Sequence, residues 1–163
     1  MTTLNIGDPA SPFSLPTLSG GSAAVPAGAP FSLLLFVKQE CPTCWMTLPF
    51  FGRLSKAYGD KISFSIVAEN DAVAGAEVAR LAGVSGELVQ LEPEPWSTSA
   101  AYGLFAVPVL FEVSADKTVA HSVLGWSRAE YEALNDKLSQ LTGRPKLELI
   151  TEADGKIPNI KPG

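Results

Sequence analysis

Residues 31–38, Phe-Ser-Leu-Leu-Leu-Phe-Val-Lys, form a continuous apolar run with no alternation between faces. Such a run reads as a strand buried on both sides, and a strand of that kind needs covering elements above and below it. The period then changes abruptly. From Pro42 to Tyr58, Leu48, Phe51, Leu54 and Tyr58 recur every three or four residues, which predicts a helix. Pro42 suits its first position, where no intrahelical N–H is needed, and Gly59 suits its C-terminal cap. Pro49 lies inside it and predicts a kink.

The remainder continues this alternation. "KISFSIVAEN" predicts a second strand, "AVAGAEVARLAGV" a helix, "ELVQLEPEP" a strand ending in a proline-broken loop, and "STSAAYGLF" a helical turn or two. "VPVLFEV" and "TVAHSVLGW" read as a hairpin joined at "SADK". Ser127 with Glu130 three residues on is a capping-box signature, opening a last helix that runs to Gly143. Residues 1–30, rich in Gly, Pro, Ser and Ala, predict loop with one short strand near Phe13–Leu15. Residues 144–163 carry three prolines and predict an extended tail, with "KLELI" as an edge strand and a mobile end. The expected architecture is α/β, a central mixed β-sheet flanked by helices, with one domain over residues 1–143 and a C-terminal tail over 144–163.

Composition narrows the functions. The 163 residues are 46% hydrophobic and 18% charged, enough for one packed core. A net charge of −5 with no basic patch argues against nucleic acid or an anionic membrane as the main partner. The longest apolar run is too short to span a bilayer, and the N-terminal residues have no basic segment followed by an apolar one. The expected location is cytoplasmic.

The chain has two cysteines, Cys41 and Cys44, at the junction of the buried strand and the helix. Structural zinc wants four ligands, and beyond these thiols the chain offers one histidine, the distant His121. A structural disulfide here closes a tiny loop, where the chain-entropy gain is small. A redox role has a physical cause. Cys41 sits just before a helix, whose free N–H groups and partial positive charge favour a thiolate. Cys44, one turn in, is placed to attack a mixed disulfide on Cys41. Glu40 opposes the thiolate, Lys38 partly offsets it, and Pro42 removes one amide donor while Thr43 keeps its N–H and hydroxyl. Trp45 reads equally as core anchor or substrate platform, and Trp96 first as packing. His121 alternates with Val119 and Val123 and is expected to face solvent.

The strand, the Cys-Pro-Thr-Cys motif and Pro49 five residues after Cys44 resemble the thioredoxin fold. "GDPASPFSLPTLSGG" resembles the opening of redoxins, the AhpC/TSA and TlpA/ResA-like group, and "YGLFAVPVLFEVSADKTVAHSVLGW" its later block. The resemblance covers about residues 5–142 and implies a thioredoxin-like fold with an N-terminal redoxin-type extension. It implies a thiol–disulfide oxidoreductase working through Cys41 and Cys44, with antioxidant relatives in the same group. Pro108 is implied to be cis and to face the cysteines, with Val107 docking a peptide backbone; Pro42, Thr43 and Pro49 support the motif. No cofactor or metal is implied beyond the dithiol. The implied partners are protein disulfides or dithiols and an unidentified thiol reductant or oxidant.

Departures matter. Glu40 stands where thioredoxins carry Trp, Leu35 where they carry a buried Asp, and Thr47 where TlpA/ResA-like proteins often carry Glu. Glu69 and Glu94 are the candidates to replace that proton-shuttling carboxylate. The peroxiredoxin pattern of Pro and a hydroxyl residue ahead of the reactive Cys is absent, with Leu34 and Lys38 in those places. A thiol peroxidase is therefore the second reading, and a non-catalytic redox-sensing module the third. The Cys-Pro-x-Cys order resembles glutaredoxins and oxidising relatives, whereas a cytoplasmic location favours reduction.

Overall fold

Phe31–Val37 (β3) is buried at every residue, as its pattern requires. In the computed structural model, which describes residues 3–26 and 30–163, β3 is the middle strand of a five-stranded sheet. Its neighbours are Ser63–Ala68 (β4), parallel, and Val109–Ser114 (β6), antiparallel; Val89–Leu91 (β5) and Val119–Leu124 (β7) complete the edges in the order β5-β4-β3-β6-β7. Leu33, Leu35 and Val37 pack into one core, with Pro42–Tyr58 (α1) and Arg128–Thr142 (α4). Leu34 and Phe36 pack into the other, with Val109, Phe111 and Tyr102. Each fully buried leucine is worth about 2 kcal/mol, so the run stabilises both layers at once.

The second face is covered from the N-terminus. Phe13–Pro16 (β1) pairs with Ser22–Val25 (β2), a hairpin inside the segment expected to hold a single strand. Its Gly/Pro/Ser composition hides β2. Phe13 meets Tyr102 edge-on at 5.8 Å and tilts against Phe36 at 6.4 Å.

Helix α1 carries Pro49 within an unbroken helical run, and Gly59 caps its end as expected, its N–H bonded to the Ser55 carbonyl. Ala72–Ala82 (α2) comes so close that a Cβ on Gly52 would lie 1.7 Å from the Ala82 carbonyl oxygen, so only glycine fits. At the far end of α1 the Tyr58 hydroxyl donates to Asn135 Oδ1 (2.8 Å) and accepts from the Leu147 N–H (3.0 Å).

Two later expectations change. Ser127 caps α4 by accepting from the Glu130 N–H, but the Glu130 carboxylate turns away to His121 Nε2 at 2.6 Å. The capping box is therefore half made. His121, expected in solvent, is half-buried against that carboxylate. The tail differs more. "KLELI" forms no strand, and the supposed loose end is pinned: Ile160–Lys161 (β9) pairs antiparallel with Trp126–Ser127 (β8). Arg53 holds the approach to it, donating to Asp154 with both nitrogens at 2.8 and 2.6 Å and to the Leu149 carbonyl. Trp126, fully buried between Tyr131 and Phe50, donates to the Pro158 carbonyl at 2.8 Å.

Candidate active site

The end of β3 and the start of α1 deliver the cysteines. Cys41 is the N-cap residue: its Sγ accepts from the Cys44 N–H at 3.2 Å, so a helix-terminal amide points at the sulfur. This is the contact that favours negative charge there. Cys41 is half-buried and Cys44 is 0% exposed, and both are free thiols. Burial pushes the Cys44 thiol up, and its contact with Cys41 and the Glu69 charge push the same way.

The loop before β6 closes the site. Val107–Pro108 is cis, as the resemblance implies. The Cys41 thiol donates to the Val107 carbonyl at 3.5 Å, which brings Cys41, Cys44, Val107 and Pro108 to one corner. Pro42 takes the first helical turn; Thr43 is buried, and its hydroxyl donates to the Pro162 carbonyl at 2.7 Å. Pro49 lies farther along α1, away from that corner.

The neighbours resolve the questions about charge. Glu40 turns to Asn70, accepting from Nδ2 at 3.2 Å, while the Asn70 carbonyl holds the Gln39 N–H. Lys38 lies 4.0 Å over the Trp96 ring. Leu35 and Thr47, at the positions of the missing carboxylates, are fully buried; the Thr47 hydroxyl is satisfied by the Thr43 carbonyl. Of the two substitutes, Glu94 is exposed in its loop. Glu69 instead lines an open cleft of about 300 Å³ with Lys38, Trp96, Leu104, Phe105 and Val107. Burial raises its carboxyl, with the nearby Ser99 side chain and the Lys38 charge acting against the rise. Trp45 is 45% exposed on the helix face, with its indole N–H on the Gln39 carbonyl; it is the platform alternative that geometry favours. Trp96 donates to the Glu69 carbonyl at 3.3 Å and walls the cleft. Among the described residues, no group of three or more His, Cys, Asp or Glu side chains is placed to hold a metal.

Several contributors were not visible in the sequence. Glu92 is buried and accepts from the Ser99 hydroxyl at 2.7 Å and from the Thr98 and Ser99 amides, fixing the start of Ser97–Ala101 (α3) under the cleft wall. The Ser/Thr run after the Pro-rich loop is the local signal for that cap. Phe105, 72% exposed, stands at the rim. The tail is the largest surprise. A Cβ on Gly163 would come 2.1 Å from the Val107 carbonyl oxygen, and one on Gly125 would come 2.8 Å from the Lys161 carbonyl oxygen. No local signal places residues 160–163 there.

Sheet order, the strand-to-helix dithiol and the facing cis-proline define a thioredoxin-like fold. A Chlorobium tepidum protein provisionally assigned as the thiol:disulfide interchange protein DsbE is 26% identical, with a TM-score of 0.67 over 86% of this chain and 99% of its own. A thiol:disulfide interchange protein from a Bacteroides species is 15% identical, with a TM-score of 0.71 over 88% and 93% of the two chains. A secreted Mycobacterium tuberculosis disulfide oxidoreductase homologous to Escherichia coli DsbE is 19% identical, with a TM-score of 0.65 over 78% and 95%. No family model matches the sequence, and no curated protein matches it either.

Proposed function

We propose that the protein is a thiol–disulfide oxidoreductase acting on protein substrates through Cys41 and Cys44. The observation that carries this is the pairing of unequal thiols: a half-buried Cys41 facing a helix amide, and a buried Cys44 one turn behind it. The structural neighbours named for disulfide interchange support it. In the reducing direction the Cys41 thiolate attacks a substrate disulfide. One substrate sulfur leaves as a thiolate, and a mixed disulfide forms. Cys44 then gives up its proton and attacks Cys41 Sγ, which releases the second substrate thiol and leaves the Cys41–Cys44 disulfide. Two electrons pass to the substrate, and an external dithiol restores the enzyme; the oxidising direction is the reverse.

In this reading Val107 pairs with the peptide backbone around the substrate cysteine, Pro108 shapes that edge, and Pro42, Thr43 and Pro49 set the helix that carries the thiols. The catalytic domain of this reading is residues 1–143, with 144–163 as a C-terminal segment that packs back onto it through Leu147, Leu149 and Asp154. Cytoplasmic location stays part of the proposal: acid quenching and alkylation of intact cells should trap the pair as thiols.

The test is turnover. Wild type should reduce insulin with a dithiol donor, Cys41→Ser should lose all activity, and Cys44→Ser should accumulate a mixed disulfide. No turnover with any dithiol couple, in either direction, sinks the proposal. The reduction potential then assigns direction. The peroxidase reading is not favoured: Leu34 is fully buried and Lys38 lies on Trp96, so neither supplies the Pro or hydroxyl that reading needs.

A further inference from the structure

Residues 160–163 do more than pass near the cysteines. Ile160 and Lys161 pair with Ser127 and Trp126, Pro162 accepts from the Thr43 hydroxyl, and Gly163 lies against the Val107 carbonyl. The backbone of Gly125 is close to Lys161 and Gly163 at the same time. Residues 160–163 therefore run as an extended segment between the start of α1 and the loop that carries Val107 and Pro108. An incoming peptide pairing with Val107 needs that edge.

We propose that Ile160–Gly163 is a built-in occupant of the peptide groove and so a determinant of substrate choice. Disulfides flanked by an extended chain must displace it, whereas small disulfides that need only Cys41 Sγ are not screened. This deepens the oxidoreductase reading and rests on it. The segment is anchored more firmly just upstream than along its own length. Upstream it is anchored by Arg53–Asp154, by Trp126 on the Pro158 carbonyl and by the Arg128 N–H on the Asn159 carbonyl at 2.8 Å. Beyond Asn159, Ile160 is 75% exposed, Pro162 and Gly163 are also exposed, and one side-chain bond and a two-residue strand hold residues 160–163. Short, exposed contacts of this kind open locally without unfolding the rest. Val107 also lines the open cleft walled by Trp96 and Phe105, so the loop that meets the tail meets that cleft too.

The experiment uses alkylation, which needs a thiol but no disulfide exchange. Rates of labelling at Cys41, located by mass spectrometry, are compared for iodoacetamide and for an iodoacetyl-capped extended hexapeptide. The full chain is set against a variant ending at Asn159, which keeps the Trp126–Pro158 bond, and against full-length Gly163→Ala, whose Cβ cannot coexist with the Val107 carbonyl in the docked position. The hexapeptide rate should rise about five-fold in both variants, as expected for losing roughly one net hydrogen bond's worth of competition. The iodoacetamide rate should stay within about two-fold, since the amide-facing sulfur that sets its reactivity is unchanged. If both reagents speed up alike, or neither does, the segment does not screen substrates. Should the truncated chain misfold, Gly163→Ala decides alone. Insulin reduction is measured in parallel: its absence in every variant sinks the oxidoreductase reading, while the labelling ratio still judges the groove.

Discussion

The two ends of α1 do different work. The end at Tyr58 is locked by matched polar groups: Tyr58, Asn135 and the Leu147 backbone satisfy one another, with Asn135 Nδ2 donating to the Leu147 carbonyl at 2.7 Å. The end at Cys41 instead puts the reactive atom itself into the contacts, a 3.2 Å amide-to-sulfur bond and a 3.5 Å thiol-to-carbonyl bond. One helix is thus a fixed post at one end and a reactive edge at the other. A dithiol that must exchange partners needs the second kind of end, and the first keeps it in position.

Substitutions along and beside α1 should separate the two roles. The largest effect is expected at Gly52. Alanine improves helix propensity by about 1 kcal/mol. Its Cβ, however, would meet the Ala82 carbonyl oxygen at 1.7 Å, so α2 must move. We expect a net loss of about 3 kcal/mol in denaturant unfolding, as for overpacking, with normal alkylation of Cys41 in the folded fraction. A matching loss of Cys41 reactivity would show that the two ends are not separable.

Tyr58→Phe removes the shared hydroxyl and leaves Asn135 Oδ1 and the Leu147 amide without it, at a cost of about 2 kcal/mol by thermal or denaturant melting. A neutral result would mean that water replaces the hydroxyl and that the post is softer than its geometry implies. Asp154→Asn should cost less, about 1 kcal/mol at neutral pH, because solvent screens the partly exposed Arg53. Arg53 holds the Asp154 carboxyl well below the usual carboxylate range. Its contribution is therefore present above the ordinary value of 3.8 and is lost as pH falls toward the depressed one, so the variant should lack that part of the acid limb in a stability-versus-pH series.

Glu69→Gln should give the smallest and opposite change. The Glu69 carboxyl is raised in the folded state above 4.5, so the native protein binds more protons there than the unfolded chain and loses stability as pH rises from that value through the raised one. Gln has no such slope, and the variant should gain slightly on wild type toward neutral pH. If Glu69 also takes the Cys44 proton, the pH profile of insulin reduction moves as well; an unmoved profile restricts Glu69 to the cleft wall.

Much of this was legible locally. The buried run at 31–37, the helix from Pro42 and its cap at Gly59 follow from period and punctuation, and the thiols follow from their place between the two. The resemblance at Val107–Pro108 anticipated the facing loop. Other features have no local signature. Glu130 keeps the spacing of a capping box, but His121, nine residues back on a neighbouring strand, draws its carboxylate away. Glu40 looked like a charge opposing Cys41, but Asn70, thirty residues on, holds it. Glu69 and Glu94 were equal candidates until the cleft formed around only one of them.

By itself, then, the sequence determined the alternation of strands and helices, the layered α/β architecture and a dithiol at a helix start. These depend on hydrophobic period and on backbone chemistry within a few residues. Tertiary structure alone decided which carboxylate lies by the thiols and that residues 160–163 lie along the Val107 edge. Those outcomes depend on contacts across long chain separations, such as Thr43 with Pro162 and Arg53 with Asp154. No short-range pattern encodes which distant backbone meets an unoccupied edge; packing of the whole chain selects it.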